Sequence, residues 1–220
     1  MGCSTDAMHL NTAPYLEQSA RWPASGRHIL AQYDDEGVVV YQAYRPSIGR
    51  YAAEHGYFGG EWSASRMTWI KPNFLWMMFR SGWGTKEGQE VTMAVTLRRA
   101  AFDQILAAAV ASSYDADRYA TRAEWQLAVK TSGVRLQWDP DHAPTGQAVE
   151  RRAVQLGLRA EMSAKYAREW ILRIEDISGF VAEQRQNATP SAYAQLRLPE
   201  EHVYPAATAE IAHVLGLSPP

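Results

Sequence analysis

The chain has 220 residues and a single cysteine, Cys3, so no disulfide can form within it. One thiol in a polar N-terminal stretch fits a reducing compartment, and a cytoplasmic location is expected. There is no run of 18 consecutive apolar residues, so neither a transmembrane helix nor a membrane partner is expected. No apolar run precedes Cys3, so a secretory signal is not expected either. Asp6 stands where an N-terminal myristoylation pattern requires Ser or Thr. Excess charge is also scarce. The formal net charge is −2, which excludes a global basic field that would hold nucleic acid by neutralising phosphates and leaves only a local basic groove for that role.

The usual catalytic signatures are missing as well. No Gly-rich phosphate loop, dinucleotide fingerprint, His-Glu-x-x-His, Cys-x-x-Cys or Gly-x-Ser-x-Gly elbow is present. His9, His28, His55, His142, His202 and His213 are scattered, with no pair at ligand spacing, so no metal is expected. What is there is ordinary for a globular protein: 46% hydrophobic and 21% charged residues, enough to bury a core without staples.

Local patterns alternate without the regular rhythm of a doubly wound sheet. Val38–Tyr44 is β-rich and follows the turn Asp34–Gly37, and residues 46–55 read as a helix opened by Pro46 and closed by Gly56. A helix with Pro72 in its first turn is predicted to run to Ser81 and end at Gly82, with Leu75, Met78 and Phe79 facing inward. Glu90–Leu97, Val134–Trp138, Val154–Leu158 and Trp170–Ile177 read as strands, with Val134–Trp138 ending at Asp139-Pro140. Residues 99–112, Thr121–Lys130, Ser163–Glu169 and a final Ala207–Leu215 read as helices. The fold class is α+β: a single compact domain over residues 27–220, with short, mostly antiparallel strands interleaved with helices and a C-terminal tail helix. Residues 1–26 read as a loosely ordered lead-in.

Chemistry concentrates in three segments. The densest is Arg66–Trp83, where Arg66, Lys71 and Arg80 stand among Trp69, Trp76 and Trp83, with Trp62 just upstream. Indole and guanidinium groups together suit an anionic, flat ligand: a nucleotide, NAD, or an unstacked base. Ser81-Gly82-Trp83-Gly84 adds a turn through which backbone could approach that ligand. The competing reading is a tryptophan-rich core with cations reaching to water. In the second segment, Gln42 and Tyr44 share one face of a strand; a buried glutamine needs partners, and these come from the protein or from a ligand. In the third, Glu175 and Asp176 point to opposite sides of a strand, so at most one is catalytic, and Glu175 is the candidate. Asp176 serves equally well as a helix cap.

Tyr41-Gln42-Ala43-Tyr44, Arg66-Met67-Thr68-Trp69-Ile70-Lys71-Pro72, Phe74-Leu75-Trp76-Met77-Met78 and Arg80-Ser81-Gly82-Trp83 resemble the bacterial and fungal family grouped as domain of unknown function 4291. Gln137-Trp138-Asp139-Pro140, Gln155-Leu156-Gly157-Leu158 and Ile174-Glu175-Asp176 extend the resemblance over about residues 27–205. It implies one compact domain and names no activity. A looser similarity in element order is to ADP-ribosyltransferases, which open on a strand with an NAD-contacting polar residue and carry a catalytic glutamate on a late strand. Here Val38–Tyr44 and Glu175 take those places, without a paired-glutamate or Ser-Thr-Ser signature. That similarity implies NAD as cofactor and transfer of ADP-ribose to nucleic acid or a small molecule; the ligand-binding set read from the segments themselves is Gln42, Tyr44, Arg66, Trp69, Lys71, Trp76, Arg80, Ser81 and Trp83. Two alternatives stand beside it. One is a non-catalytic module that holds single-stranded nucleic acid or a modified base in an aromatic pocket. The other is a metal-requiring hydrolase or nuclease using Asp139, Asp176 or Glu175. The oligomeric state is not encoded in any of these patterns.

Overall fold

The computed structural model describes residues 9–219; Cys3 and Asp6 lie outside them. In chain order the first elements are β1 (Thr12–Pro14), α1 (Tyr15–Ser19), β2 (Gly26–Arg27), β3 (Leu30–Ala31), β4 (Gly37–Tyr44) and α2 (Pro46–His55). Next come β5 (Thr68–Ile70), α3 (Phe74–Ser81), β6 (Val91–Arg98), α4 (Arg99–Ala107), β7 (Ala109–Ala111) and α5 (Arg122–Thr131). The last are β8 (Val134–His142), β9 (Ala148–Leu158), α6 (Ala160–Arg168), β10 (Ile171–Asp176), α7 (Ser178–Arg185), β11 (Arg197–Pro199), β12 (His202–Val203) and α8 (Ala209–Leu215). The fold is α+β. Most pairings are antiparallel, and β2–β9 and β7–β8 are parallel. No helix among the described residues is long and apolar enough to cross a membrane.

Two sheets position everything else. One is antiparallel, in the order β10-β6-β4. The other runs β2-β9-β8-β7, with β5 also on β9. A single antiparallel bridge, Tyr41 to Lys71, joins them: Tyr41 N–H donates to Lys71 O at 2.7 Å and Lys71 N–H to Tyr41 O at 3.3 Å. β4 is apolar on both faces because both are covered. Val38 and Val40 pack with Met93, Val95 and Leu97, while Val39 and Tyr41 pack with Ala94 and with Leu75 and Met78 of α3. Each such side chain contributes on the order of 1.5–3 kcal/mol by leaving water. Gly49 in the middle of α2 lets that helix approach β6, since a Cβ there would lie 2.5 Å from Val91 Cγ1.

Several local expectations need correction. Residues 12–26 are not loose. β1 pairs with β11, and buried Gln18 donates to Ala13 O and Leu198 O while accepting from Glu201 N–H. α3 begins after Asn73, whose side chain accepts from Trp76 N–H at 2.7 Å, so Pro72 precedes the cap rather than entering the first turn. Phe79 does not face inward; it is 38% exposed. α4 ends at Ala107, and residues 109–111 form β7 instead of prolonging it. β8 passes through Asp139-Pro140 to His142. A proline is tolerated there because β7 accompanies β8 only as far as Leu136, which leaves one side of the later residues without a strand partner.

Candidate functional site

Past the Tyr41–Lys71 bridge, β4 and β5 splay, and side chains replace the ladder. Gln42, 3% exposed, sits in the gap. Its amide nitrogen donates to Thr68 Oγ1 (2.9 Å), Trp69 O (3.1 Å) and Tyr44 Oη (3.1 Å). Its amide oxygen accepts from the Tyr166 hydroxyl of α6 at 2.5 Å. Tyr44 and Thr68 hydroxyls are 2.8 Å apart, and Trp62 Nε1 donates to Tyr44 Oη at 3.3 Å. The glutamine amide is therefore committed to the protein, and its role is to tie β4, β5 and α6 together. Gln42→Leu should leave the buried Tyr166 hydroxyl unpaired and lower the unfolding free energy by roughly 1–3 kcal/mol. Urea unfolding checks this, and an unchanged midpoint would show that the strap is dispensable.

The splay opens a cavity of about 520 Å³. Its wall includes Gln42, Tyr44, Arg66, Trp69, Lys71 and Arg80, so six of the residues anticipated from sequence meet in one place. Trp69 pairs in register with Gly157 of β9, and the missing side chain there leaves room for Met67 and Trp69: a Cβ would lie 2.6 Å from Met67 Sδ and 3.1 Å from Trp69 Cε2. Glu61 and Trp62 also line the cavity, and neither was marked as a site residue from the sequence. Glu61 is spoken for at the exposed rim: its Oε2 lies 2.7 Å from Arg45 Nη2 and accepts from Ser47 Oγ at 2.7 Å.

Four cations line this space, and Arg45 is paired with Glu61. Arg66 and Arg80 are exposed and have no carboxylate partner among the described residues. Lys71 is 6% exposed, and its ammonium has no hydrogen bond or ion pair among the described residues. Burial, reinforced by the charge of Arg80, lowers its pKa to about 8, while Asp139 acts in the opposite direction. Asp139 is fixed by two amides, accepting from Gln137 Nε2 and Gln155 Nε2 at 2.8 Å each. A buried ammonium with no direct carboxylate contact is costly, and the Asp139 charge offsets only part of that cost.

The other anticipated residues lie elsewhere. Trp76 is sealed in a stack with Phe79 and His142, and the Phe79 and His142 centroids are 3.5 Å apart. Ser81 is fully buried and its hydroxyl donates to Met77 O at 3.0 Å within α3. Trp83, in the left-handed region at φ 55°, donates from Nε1 to Pro144 O and lines a separate cavity of about 410 Å³. Glu175 pairs in register with Ala94, as does Tyr41, whereas Gln42 pairs with Met93. Residues opposite in register share a face, so Glu175 is on the face away from Gln42. Its carboxylate bonds Arg173, with Oε1 3.1 Å from Nε and Oε2 3.3 Å from Nη2.

A buried charged cluster beside α3 went unmarked in the sequence. Asp141 is 0% exposed and pairs with Arg151 at 2.6 Å. Glu201, 3% exposed, accepts from Phe74 N–H at 2.6 Å at the start of α3. Burial pushes the Glu201 carboxyl well above its ordinary range, and the Phe74 bond offsets only part of this. No group of three His, Cys, Asp or Glu side chains among the described residues could hold a metal ion.

No curated protein matches the chain. The segments that meet at the cavity fall within residues 28–204, which match the model of the family described as Domain of unknown function (DUF4291), and the chain belongs to that family.

Proposed function

We propose that the cavity between β4 and β5 binds a phosphate-bearing planar ligand of the nucleotide class, NAD and related dinucleotides included. The observation that carries this reading is the gathering of Arg66, Lys71 and Arg80, without carboxylate partners among the described residues, around one cavity walled by Trp62 and Trp69. The Arg66 and Arg80 guanidinium groups take the phosphates with the Lys71 amine beside them, and an indole takes the flat ring. The cavity volume of about 520 Å³ is of the size that holds such ligands. Titration calorimetry with NAD, ADP and adenosine tests it. ADP should bind more tightly than adenosine, and Arg80→Ala should weaken ADP by about tenfold or more, as expected for a lost charge-assisted bond. Equal affinity for ADP and adenosine would remove the phosphate site.

The enzymatic form of this reading is transfer of ADP-ribose, in which a carboxylate stabilises the positive charge that develops as nicotinamide leaves. Among the cavity-lining residues the carboxylate is Glu61, and Glu175 faces away. Glu61→Gln should therefore stop NAD consumption and Glu175→Gln should not; the reverse result would restore Glu175 to the role suggested by element order. A second reading, a module for single-stranded nucleic acid, is favoured by exposed Arg45, Arg66 and Arg80 around the mouth. Oligonucleotide binding that weakens steeply with salt, without NAD consumption, would select it. Either reading suits a reducing cytoplasmic setting, which the lone Cys3 supports.

A further inference from the structure

We infer that Lys71 is a carbonyl-reactive amine, and that the cavity between β4 and β5 accepts a phosphorylated reducing sugar whose open-chain aldehyde forms an imine with its Nζ. This deepens the nucleotide reading and rests on it, since the same arginines would hold the phosphate. Three features of the site support it. Lys71 is 6% exposed yet lines a cavity open to solvent, so a small ligand reaches an amine that the bulk solvent barely touches. Its Nζ has no carboxylate or carbonyl partner among the described residues that would bind its N–H groups and hold it as the ammonium. Arg66 and Arg80, free of carboxylate partners among the described residues, stand in the same wall to fix an anionic group while the aldehyde reaches the amine.

The chemistry also requires a neutral amine. Burial and the Arg80 charge lower Lys71 to about 8, against which Asp139 is the opposing charge. At pH 8 about half of Lys71 is then neutral, compared with roughly one in 300 of an ordinary lysine. The lone pair of Nζ attacks the aldehyde carbon and the C–O π bond breaks. Its oxygen takes up a proton to give a carbinolamine, and loss of water leaves the imine. One amine and one aldehyde give one imine and one water, with no oxidant or reductant consumed. The Tyr44 and Thr68 hydroxyls also line this cavity and could pass the proton to the departing oxygen.

Incubation with ADP-ribose at pH 8, followed by sodium borohydride and peptide mass spectrometry, tests the inference. Hydride addition converts the imine to a stable secondary amine. The chain has four lysines, and Lys86, Lys130 and Lys165 are exposed or paired at the surface and serve as internal controls. Adduct on Lys71 should exceed that on each control by about tenfold or more, because the bound phosphates raise its pKa and take back part of the roughly 100-fold difference in neutral fractions. Excess NAD, whose anomeric carbon is blocked, should bind and protect Lys71 without forming an adduct. Lys71→Arg, which has no primary amine, should yield no adduct at this position while the three surface lysines label as in wild type. Binding of ADP-ribose by wild type with no preferential Lys71 adduct overturns the inference and leaves the nucleotide reading standing. Failure of ADP-ribose and NAD to bind at all overturns both.

Discussion

Replacing Arg151 by methionine is expected to lower the unfolding free energy by about 3–5 kcal/mol, the cost of stripping the partner from a buried charge. Asp141 is 0% exposed. Its Oδ2 receives Arg151 Nε at 2.8 Å and Nη2 at 2.6 Å, and its Oδ1 accepts only from His142 N–H at 2.7 Å. Without Arg151 one carboxylate oxygen has no donor. Glu201, a second buried acid whose anion Arg151 favours, loses that support as well. The guanidinium also donates to Pro23 O at 2.7 Å and lies over the Trp22 ring at 5.3 Å, so the substitution should loosen residues 15–23 too. Domain stabilities are typically about 5–15 kcal/mol, so the loss is a large share of the total. Chemical denaturation measures it. The double variant Asp141→Leu with Arg151→Met, which removes both charges, should recover much of the deficit. If the single variant costs less than about 1 kcal/mol, the pair is a surface-like contact, and its burial has no energetic consequence.

That pair also shows where the sequence was legible and where it was not. β4, α2 and the capping box of α5, in which Thr121 and Glu124 bond each other's backbone N–H groups, were readable because each is specified within a few residues. The N-terminal stretch was misread because its ordering comes from far away. Thr12–Pro14 pairs with Arg197–Pro199, Trp22 Nε1 donates to Glu201 O, and Arg151 reaches Pro23. No local periodicity announces partners at such separations.

The site divides in the same way. Arg66, Trp69, Lys71 and Arg80 stood out by composition, since cations and indoles concentrate there, and all four line one cavity. Spacing failed to separate them from Trp76 and Trp83. The interval of seven between Trp62, Trp69, Trp76 and Trp83 crosses a loop, strand β5 and helix α3, so equal steps in sequence lead to different environments. Glu175 was placed by element order alone, and register puts it on the other face. Glu61 lies in a stretch without strong pattern, and its bonds to Arg45 and Ser47 at the start of α2 hold it at the cavity rim.

Lys71→Met is expected to make the protein more stable at neutral pH while weakening its affinity for phosphate ligands. The sign follows from the depressed pKa. Lys71 falls from 10.5 to about 8 in the fold, so between those values the unfolded chain binds more protons than the native one. Stability of the wild type should then rise as pH increases from about 8 to 10.5, by roughly 3 kcal/mol in total, and be lower by that amount everywhere below. Methionine has nearly the same length, carries no charge and removes the penalty, so its stability curve should lack this rise and lie up to about 3 kcal/mol above wild type at pH 7. Denaturant titrations at several pH values compare the two slopes directly. A bound anion should have the complementary effect on wild type. By favouring the ammonium it raises the Lys71 pKa, so binding near pH 8 takes up a proton and affinity falls as pH climbs further. Calorimetry in buffers of different ionisation enthalpy reads that proton, and the variant should bind more weakly and show no uptake. If Lys71→Met instead destabilises at pH 7, the ammonium is stabilised by Asp139 more than burial penalises it, and its charge then belongs to the fold rather than to a ligand. A gain in stability together with weaker binding is the pattern expected where a strained charge is retained for function.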